Sequence, residues 1–284
     1  MTTPYYSPSG RFSPTLIPRL AVTSGLLILM AWLYAYSSVQ LHIVIRVLAS
    51  LLFAVMMTGA GVFLCKKACV RNPALAVCLA LVLTLCAWYF HWVIWVSLSA
   101  PVAGASGDAW TSAAHYLPAP ATVFAAATAP YRLSGMLIAG AVAEFILFVV
   151  IPVLLTYKAA REPFCETSKV WAVEEKLVGR FGAIGAEDTA QFIRALEADP
   201  DAFMDLLPPY SAASSHYTSL VLYLAPSGKD AWLTIRTEKV KFVDGKPNNT
   251  WKDTVKYVRI SPATAQKARN ASEEYDWEFP PLPV

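Results

Sequence analysis

Acidic residues are almost absent from the first 157 residues of this 284-residue chain. Only Asp108 and Glu144 occur there, whereas 18 acidic residues follow. The whole chain has 15% charged residues and 56% hydrophobic residues. Soluble domains have about 25% charged residues. The division indicates a first part in lipid and a second part in water, and it excludes a wholly soluble enzyme and a disordered chain.

Cysteine and histidine patterns that hold metals or disulfides are also missing. The five cysteines form no Cys-x-x-Cys pair and no cysteine–histidine quartet, so a disulfide scaffold and an ordinary zinc site are excluded. Motifs for serine hydrolases, zinc peptidases and nucleotide binding do not occur. The sequence therefore predicts that the protein is not an enzyme, and that it has no cofactor and no metal site.

Four apolar stretches are long enough to be transmembrane helices, which need about 20 residues to cross about 30 Å of hydrocarbon. Their backbone must be helical, because lipid offers no partner to a free N–H or C=O. A signal peptide is the alternative for the first stretch, but its apolar run is long and no small-residue cleavage site follows it. The predicted helices are residues 20–36, 41–64, 74–98 and 133–157.

Basic residues predict the orientation of these helices. They cluster in the N-terminal segment 1–19, between the second and third helices, and directly after the fourth. The outer loop 99–132 has a single basic residue, Arg132, at its end. Because basic loops stay in the cytoplasm, both termini are predicted to be cytoplasmic, in a cell inner membrane. The predicted fold is an α-helical membrane domain of four helices over 20–157, followed by a small cytoplasmic α+β domain over 158–284.

Three ionisable residues interrupt the predicted helices: Arg46, His91 and Glu144. A charge at a helix centre costs about 3 kcal/mol in lipid, so each of them requires a partner or a function. The favoured interpretation is structural, either an ion pair of Arg46 with Glu144 or a protonated Glu144 that is hydrogen-bonded inside the bundle. The alternatives are an Arg46 side chain that extends to the interface and a proton or ion path through Glu144 and His91.

Small residues at a spacing of four form a stripe on the second helix and another on the fourth. Such stripes let helix backbones approach closely in lipid, within one bundle or between copies of a chain. The sequence therefore predicts a homo-oligomer. The packing residues are Ser50, Ala54, Thr58, Gly135, Ala139, Gly140 and Ala143.

The segment after residue 157 has the pattern of one small α+β domain. Helical periodicity, and a proline at a first helical position, predict helices over 169–181, 187–198 and 262–270. Apolar and alternating runs predict strands over 216–224, 232–243 and 253–260, with a loop over 244–250.

Basic side chains of the last two predicted strands could form one positive face. Acidic residues interrupt them, and residues 158–284 have a net charge of −2, so a solvated face is favoured over a site for nucleic acid or anionic lipid headgroups. The residues in question are Lys239, Lys241, Lys252, Lys256 and Arg259.

Several short stretches carry a resemblance to a known group of proteins: Arg71–Pro73, Tyr89–Trp95, the helix around Glu144, and Pro163–Glu166 followed by Trp171. Through them the chain resembles uncharacterised bacterial four-span membrane proteins with a small cytoplasmic tail domain. In that family the last stretch looks like half of a two-pair cysteine site. Here Ser168 replaces the second cysteine and no later pair follows, so the resemblance implies a degenerate site that has lost its metal. It implies no known activity.

A non-enzymatic multi-pass membrane protein whose cytoplasmic domain binds a protein partner is the function that these patterns favour. It could act as a scaffold, as a sensor or as an immunity- or defence-type component. The alternative is a small transporter or channel gated by the cytoplasmic domain, but transport usually requires polar lining, broken helices or a repeat, and the sequence indicates none. The expected partners are the lipid bilayer, further copies of the chain and an unidentified protein.

Overall fold

The computed structural model describes residues 4–40, 42–99, 109–128, 142–177, 181–185, 187–210, 216–243 and 246–273. The chain divides into two compact units. The helical unit consists of Pro8–Arg161, and the sheet unit consists of Met1–Ser7 together with Glu162–Val284.

In the part of the helical unit that the structure describes, four helices are long and apolar enough to cross a membrane: α1 (Leu16–Gln40), α2 (Ile43–Lys67), α3 (Pro73–Ser99) and α6 (Val142–Ala160). They correspond to the four predicted spans. The first three extend beyond their apolar runs, because a helix satisfies its own backbone hydrogen bonds at polar ends as well. The fourth span was predicted from residue 133, and residues 129–141 lie outside the described residues.

Helix α6 is not a regular α-helix. Residues Ile146–Val150 form a π-helix, and regular α-helix follows from Ile151 to Ala160. Pro152 lies at the start of this regular part and lacks the N–H that would continue the hydrogen-bond ladder. Short π-helical turns occur frequently at functional sites, and this one begins two residues after Glu144.

Two short helices lie within the predicted outer loop, α4 (Ala109–Tyr116) and α5 (Pro120–Thr128). The hydroxyl of Tyr89 on α3 donates a hydrogen bond to the carbonyl of Leu117, between them, at 2.9 Å. Ala113 and Val123 are buried against residues of α3. This part of the loop is therefore packed against the C-terminal half of α3.

The described residues of the sheet unit form seven strands: β1 (Phe164–Cys165), β2 (Val170–Trp171), β3 (Val173–Lys176), β4 (Phe181–Gly182), β5 (His216–Leu224), β6 (Ala231–Val243) and β7 (Lys246–Ile260). Strands β1 and β2 form a separate antiparallel pair. The other five form one antiparallel sheet in the order β3-β5-β6-β7, with β4 paired to β5.

Helices pack on one face of this sheet: α7 (Thr189–Ala198), α8 (Phe203–Leu206) and α9 (Pro262–Glu273). Their apolar side chains meet alternate residues of the strands, such as Leu220 and Leu222 of β5 and Leu233 of β6, all at most 1% exposed. The predicted start of the last helix is confirmed, since the Ser261 hydroxyl accepts a hydrogen bond from the Thr264 N–H at 3.1 Å.

Two predictions for this unit are wrong. The segment 169–181, predicted as a helix, contains β2, β3 and the first residue of β4. Its Val-Glu-Glu-Lys run has residues with good helix propensity, but pairing with β5 overrides that preference. The predicted loop 244–250 is also too long, because β7 pairs with β6 from Lys246 onward. The remaining predicted helices and strands are confirmed to within a few residues.

The N-terminal segment contributes to the sheet unit, which the sequence does not predict. Backbone hydrogen bonds of 2.8 and 2.9 Å join Pro4–Tyr6 to Tyr257–Arg259 of β7. The hydroxyl of Tyr5 donates to Glu197 of α7 at 2.8 Å. Burial, together with the neighbouring carboxylate, raises the pKa of Tyr5 to about 12. Residues from both ends of the chain are therefore held in one unit.

We expect Tyr6→Ala to destabilise the sheet unit by about 1–2 kcal/mol, because Tyr6 is partly buried against other rings. Its ring packs edge-on against Trp232 and Tyr257, with centroids 5.8 and 6.4 Å apart. Hydrogen exchange of the full-length protein in detergent should become faster in β7. The exposed neighbour Ser7 provides the control, since Ser7→Ala should leave exchange unchanged. Unaltered exchange in Tyr6→Ala would show that the segment adds no stability.

Candidate functional site

Tyr34 of α1 lies at the centre of the helical unit and is 6% exposed. His91 of α3 stacks on its ring with centroids 4.4 Å apart, and Phe53 of α2 stacks at 5.1 Å. Phe148 of α6 meets the same ring edge-on at 5.6 Å. One ring from each of the four long helices thus takes part in a single cluster, which fixes how the helices are rotated relative to one another.

The hydroxyl of Tyr34 donates a hydrogen bond to Glu144 Oε1 at 3.1 Å. The second carboxylate oxygen of Glu144, Nδ1 of His91 and Nε1 of Trp92 are buried and have no hydrogen-bond partner within the described residues. Leaving a buried polar atom without a partner costs about 1–3 kcal/mol, and native proteins contain few such atoms. The three atoms lie on residues of one cluster around Tyr34.

These residues line a cavity of about 440 Å³, which we call the vestibule. It lies at the end of the bundle formed by the C-terminal turns of α1 and α3 and the first turns of α2. At 1.5 Å per residue, His91 lies about 12 Å along α3 from Ser99. The mouth is lined by Ser38, Arg46 and Ser99, the wall by Ser50, Trp92 and Trp95, and the floor by Tyr34, His91 and Glu144.

The three predicted intramembrane polar residues, Arg46, His91 and Glu144, therefore surround one cavity. Within the described part of the chain, Arg46 and Glu144 form no ion pair at 4.0 Å or less. Arg46 donates to the Val39 carbonyl at 3.4 Å, and the partner of Glu144 is Tyr34. The sequence did not reveal Tyr34, because a tyrosine near a helix end is typical of the interfacial aromatic belt.

The predicted packing residues have different surroundings. Ala54 is buried in the apolar core of the helical unit, Ser50 lines the vestibule, and Thr58 is half-buried. Ala143 is exposed on the single chain. Three further residues of the set lie outside the described residues: Gly135, Ala139 and Gly140.

Beyond its floor the vestibule is closed by packed side chains. Phe53, Met57 and Leu64 of α2 are at most 1% exposed. Helices α2 and α6 approach closely here, since a Cβ on Gly61 would collide with Thr156. The described side chains beyond the floor are therefore closely packed.

The sheet unit contains a buried carboxylate, Glu238 of β6, which is 4% exposed. The hydroxyls of Tyr217 and Ser219 on β5 donate to it, both at 2.6 Å, and Nζ of Lys176 on β3 lies 3.1 Å away. Burial alone would raise the pKa of Glu238, but these hydrogen bonds and the lysine charge together place it below its usual range. The charge is fully partnered, so this cluster joins three strands and is not a reactive centre.

Cys165 lies between two turns of the sheet unit. Its thiol donates to Asp230 Oδ2 at 2.9 Å, and Ser227 Oγ is 4.0 Å from the sulfur. The backbone N–H of Ser168 donates to the same sulfur at 3.4 Å.

Two residues separate Cys165 from Ser168, and two separate Ser227 from Asp230. Ser227 and Asp230 of the second turn therefore face Cys165 and Ser168 of the first turn with the same spacing in sequence. The four side chains provide one thiol, one carboxylate and two hydroxyls, which are poor ligands for zinc. Within the described residues, no group of three or more His, Cys, Asp and Glu side chains could hold a metal ion.

No protein-family model matches the chain, and no curated protein or solved structure shows significant similarity to it. The function must therefore be inferred from the geometry of the two units.

We expect Tyr34→Phe to destabilise the helical unit by about 1–3 kcal/mol, because it keeps the ring stacking but removes the donor to a buried carboxylate. Thermal unfolding of the full-length protein in detergent should show a Tm lower by about 2–4 °C for each kcal/mol. Tyr36, which is 45% exposed on the same helix, gives the matched control, and Tyr36→Phe should have no effect. Equal Tm values for the two variants would contradict this role of the hydroxyl.

We also expect that cysteines at the three positions facing Cys165 create a metal site. A variant with Ser168→Cys, Ser227→Cys and Asp230→Cys should bind one Co²⁺ or Zn²⁺ with the absorption spectrum of tetrahedral thiolate cobalt, because four thiols at this separation suit such a site. The same variant with Cys165→Ser should bind the metal more weakly. A folded triple variant that binds no more metal than the wild type would show that the two turns do not converge.

Proposed function

We propose that this chain is a non-enzymatic multi-pass membrane protein whose sheet unit binds a protein partner at the edge strand β7. The single observation that carries this proposal is Trp251, a large aromatic side chain that is 59% exposed on β7. Most large apolar side chains of the sheet unit are buried in its core, so an exposed tryptophan at a sheet edge is typical of an interaction site.

The edge of β7 is open to another strand. Strand β5 pairs with β6 as far as His216 opposite Lys239, whereas β6 and β7 remain paired to Val243 opposite Lys246. The N-terminal segment pairs with β7 only around Val258. Among the residues that the structure describes, no strand covers the outer edge of β7 from 246 to 256. An extended segment of a partner can add to such an edge through backbone hydrogen bonds.

Trp251 is held in a defined arrangement. The guanidinium of Arg236 lies over its ring, 4.5 Å from the centroid, and is itself paired with Asp253 at 2.8 Å. Tryptophan and arginine are the residue types that contribute most at protein interfaces. Because the pair is ordered before binding, little side-chain entropy is lost on association.

The basic residues of this sheet do not support nucleic acid as the partner. Lys256 lies 3.6 Å from Asp253, and Arg259 is paired with Asp230. Their charges are therefore partly neutralised within the domain, and the acidic residues would repel a phosphate backbone.

We place the sheet unit in the cytoplasm of a bacterial type of cell, with the helical unit in the inner membrane and the mouth of the vestibule outside. The sheet unit contains Met1–Ser7, before the first candidate span, and Glu162–Val284, after the last one. Four spans would place both of these segments on the same side of the membrane. The basic segments next to the helices favour the cytoplasmic side. Copies of the chain associate through exposed small residues such as Ala143.

A sensor is the form of this proposal that the helical unit favours over a scaffold or a defence-type component. A cavity lined by Arg46, His91 and Glu144 at one end of the helical unit suits ligand detection. The alternative, a transporter or channel gated by the sheet unit, is favoured by the same cavity. Transport would require the packed rings of Tyr34, Phe53 and Phe148 to separate. A higher proton or ion flux into liposomes with Phe53→Ala than with the wild type would favour this alternative.

The partner surface is tested with Trp251→Glu and a matched control, Val173→Glu, which changes an equally exposed residue at the opposite edge of the same sheet. The full-length variants are captured from membranes, and the co-purifying proteins are quantified by mass spectrometry. We expect the amount of one protein that co-purifies with the wild type to decrease about tenfold or more with Trp251→Glu, because the loss of such a side chain costs about 2 kcal/mol of binding free energy. The amount of the same protein should not change with Val173→Glu. The proposal is wrong if every co-purifying protein responds equally to both changes.

A further inference from the structure

An apolar groove lies between α1 and α2, and we call it the side groove. Its volume is about 490 Å³, and its lining extends from Pro18 to Leu27 on α1 and from Met56 to Phe63 on α2. At 1.5 Å per residue, the groove follows about 12 Å of α1. One leaflet of a bilayer has roughly 15 Å of hydrocarbon. The length of the side groove is therefore close to the depth of one leaflet.

The side groove opens outward from the bundle. Its walls include Val22, Leu26 and Phe63, each of which is more than half exposed. Gly59 also lines the groove, and a Cβ on this residue would meet no other atom within 4 Å. Helices that are apolar on their outer faces are typical of a surface in contact with lipid. The groove is therefore accessible to an apolar chain from the surrounding hydrocarbon.

Two cationic side chains lie at one end of the side groove. Arg19, in the first turn of α1, lines the groove itself, and Lys67 is the last residue of α2. Tyr34 stacks on Phe53, and Arg19 precedes Tyr34 by about as many residues as separate Phe53 from Lys67. Because the two helices run in opposite directions, Arg19 and Lys67 lie at a similar level along the bundle. Among the described residues, neither side chain forms an ion pair or a hydrogen bond.

The helical unit has no acidic residue that could neutralise these charges. Its sequence contains only Asp108 and Glu144. Asp108 belongs to the predicted outer loop 99–132, and Glu144 is bonded to Tyr34, about 22 Å along α1 from Arg19. The positive charge at this end of the side groove is therefore available to an anion. Basic sites between membrane helices are suited to anionic lipid headgroups.

We propose that the side groove binds one acyl chain of an anionic phospholipid, with the headgroup at Arg19 and Lys67. An apolar groove alone accepts an acyl chain of any lipid, and the two cations add a preference for a lipid with net negative charge. The guanidinium fork of arginine fits the oxygens of a phosphate. This inference concerns the helical unit alone, so it can hold or fail independently of the partner surface on β7.

A second copy of the chain is a less suitable occupant of the side groove. Copies inserted in the same direction would bring their own basic residues to the same end of the bundle. Like charges placed next to one another disfavour an interface, whereas a phosphate is attracted to both Arg19 and Lys67.

Native mass spectrometry of the delipidated full-length protein in detergent tests the lipid site. The two added lipids have the same acyl chains: dioleoylphosphatidylglycerol has a net negative charge, and dioleoylphosphatidylcholine has none. We expect the wild type to bind its first phosphatidylglycerol molecule about tenfold or more tightly than phosphatidylcholine, because each basic side chain near a headgroup contributes about a factor of five.

Variants locate the acyl chain and the headgroup. Gly59→Leu fills the side groove and should abolish the tight site for phosphatidylglycerol. Gly25→Leu is its matched control, since Gly25 is an exposed glycine of α1 that also faces open space but does not line the groove. Arg19→Gln should weaken binding about fivefold. Lys158→Gln, which removes an exposed cation in the last turn of α6, should leave it unchanged.

The proposal is overturned if the wild type binds the two lipids equally, or if Gly59→Leu and Gly25→Leu have equal effects. Equal effects of Arg19→Gln and Lys158→Gln would also overturn it. If Gly59→Leu does not fold, the comparison of Arg19→Gln with Lys158→Gln decides the question. A folded Gly59→Leu variant that keeps the tight phosphatidylglycerol site but has a lower oligomer mass would show that the groove holds a second copy instead.

Discussion

The packing of Tyr34 against three rings from three other helices is the contact on which the helical unit depends. Lipid provides no hydrophobic drive for helices to associate, so specific packing and hydrogen bonds must determine their arrangement. The ring cluster provides the packing, and the hydroxyl of Tyr34 provides the bond to Glu144. The same contact closes the floor of the vestibule. Stability and the polar cavity therefore have a common origin, and a change in the rotation of one helix would alter both.

The sequence predicts the four spans because hydropathy alone determines whether a helix is stable in lipid. It identifies Arg46, His91 and Glu144 for a similar reason, since each is costly to bury. It does not predict that Tyr34 is the partner of Glu144. That pairing depends on the rotation of each helix about its axis, which is set by the shapes of buried rings and has no signal in composition or periodicity. The π-helical turn beside Glu144 is missed for the same reason, although Pro152 marks the region.

The sheet unit shows the limits of local signals in another way. The sequence predicts strand β5 because nearly all of its residues are apolar. It does not predict strand β3, because the charged residues of β3 form a strand only through pairing with β5. The pairing of Pro4–Tyr6 with β7 joins residues about 250 positions apart, beyond any local pattern. Tyr257 has a φ of 57° at a bulge in β7, where no glycine indicates an irregular backbone.

The most direct test of the account is the accessibility of the vestibule from outside the cell. Ser50 and Thr58 are both half-buried on α2 and lie about 12 Å apart along the helix. Each is replaced by cysteine in a chain without its five native cysteines, and intact spheroplasts are treated with a membrane-impermeant thiol reagent. Because Ser50 lines the cavity and Thr58 lies beyond its closed floor, we expect Ser50→Cys to react and Thr58→Cys to stay unmodified. Equal reaction at both positions, or none at Ser50→Cys, would contradict a vestibule that opens outward and is closed toward the cytoplasm.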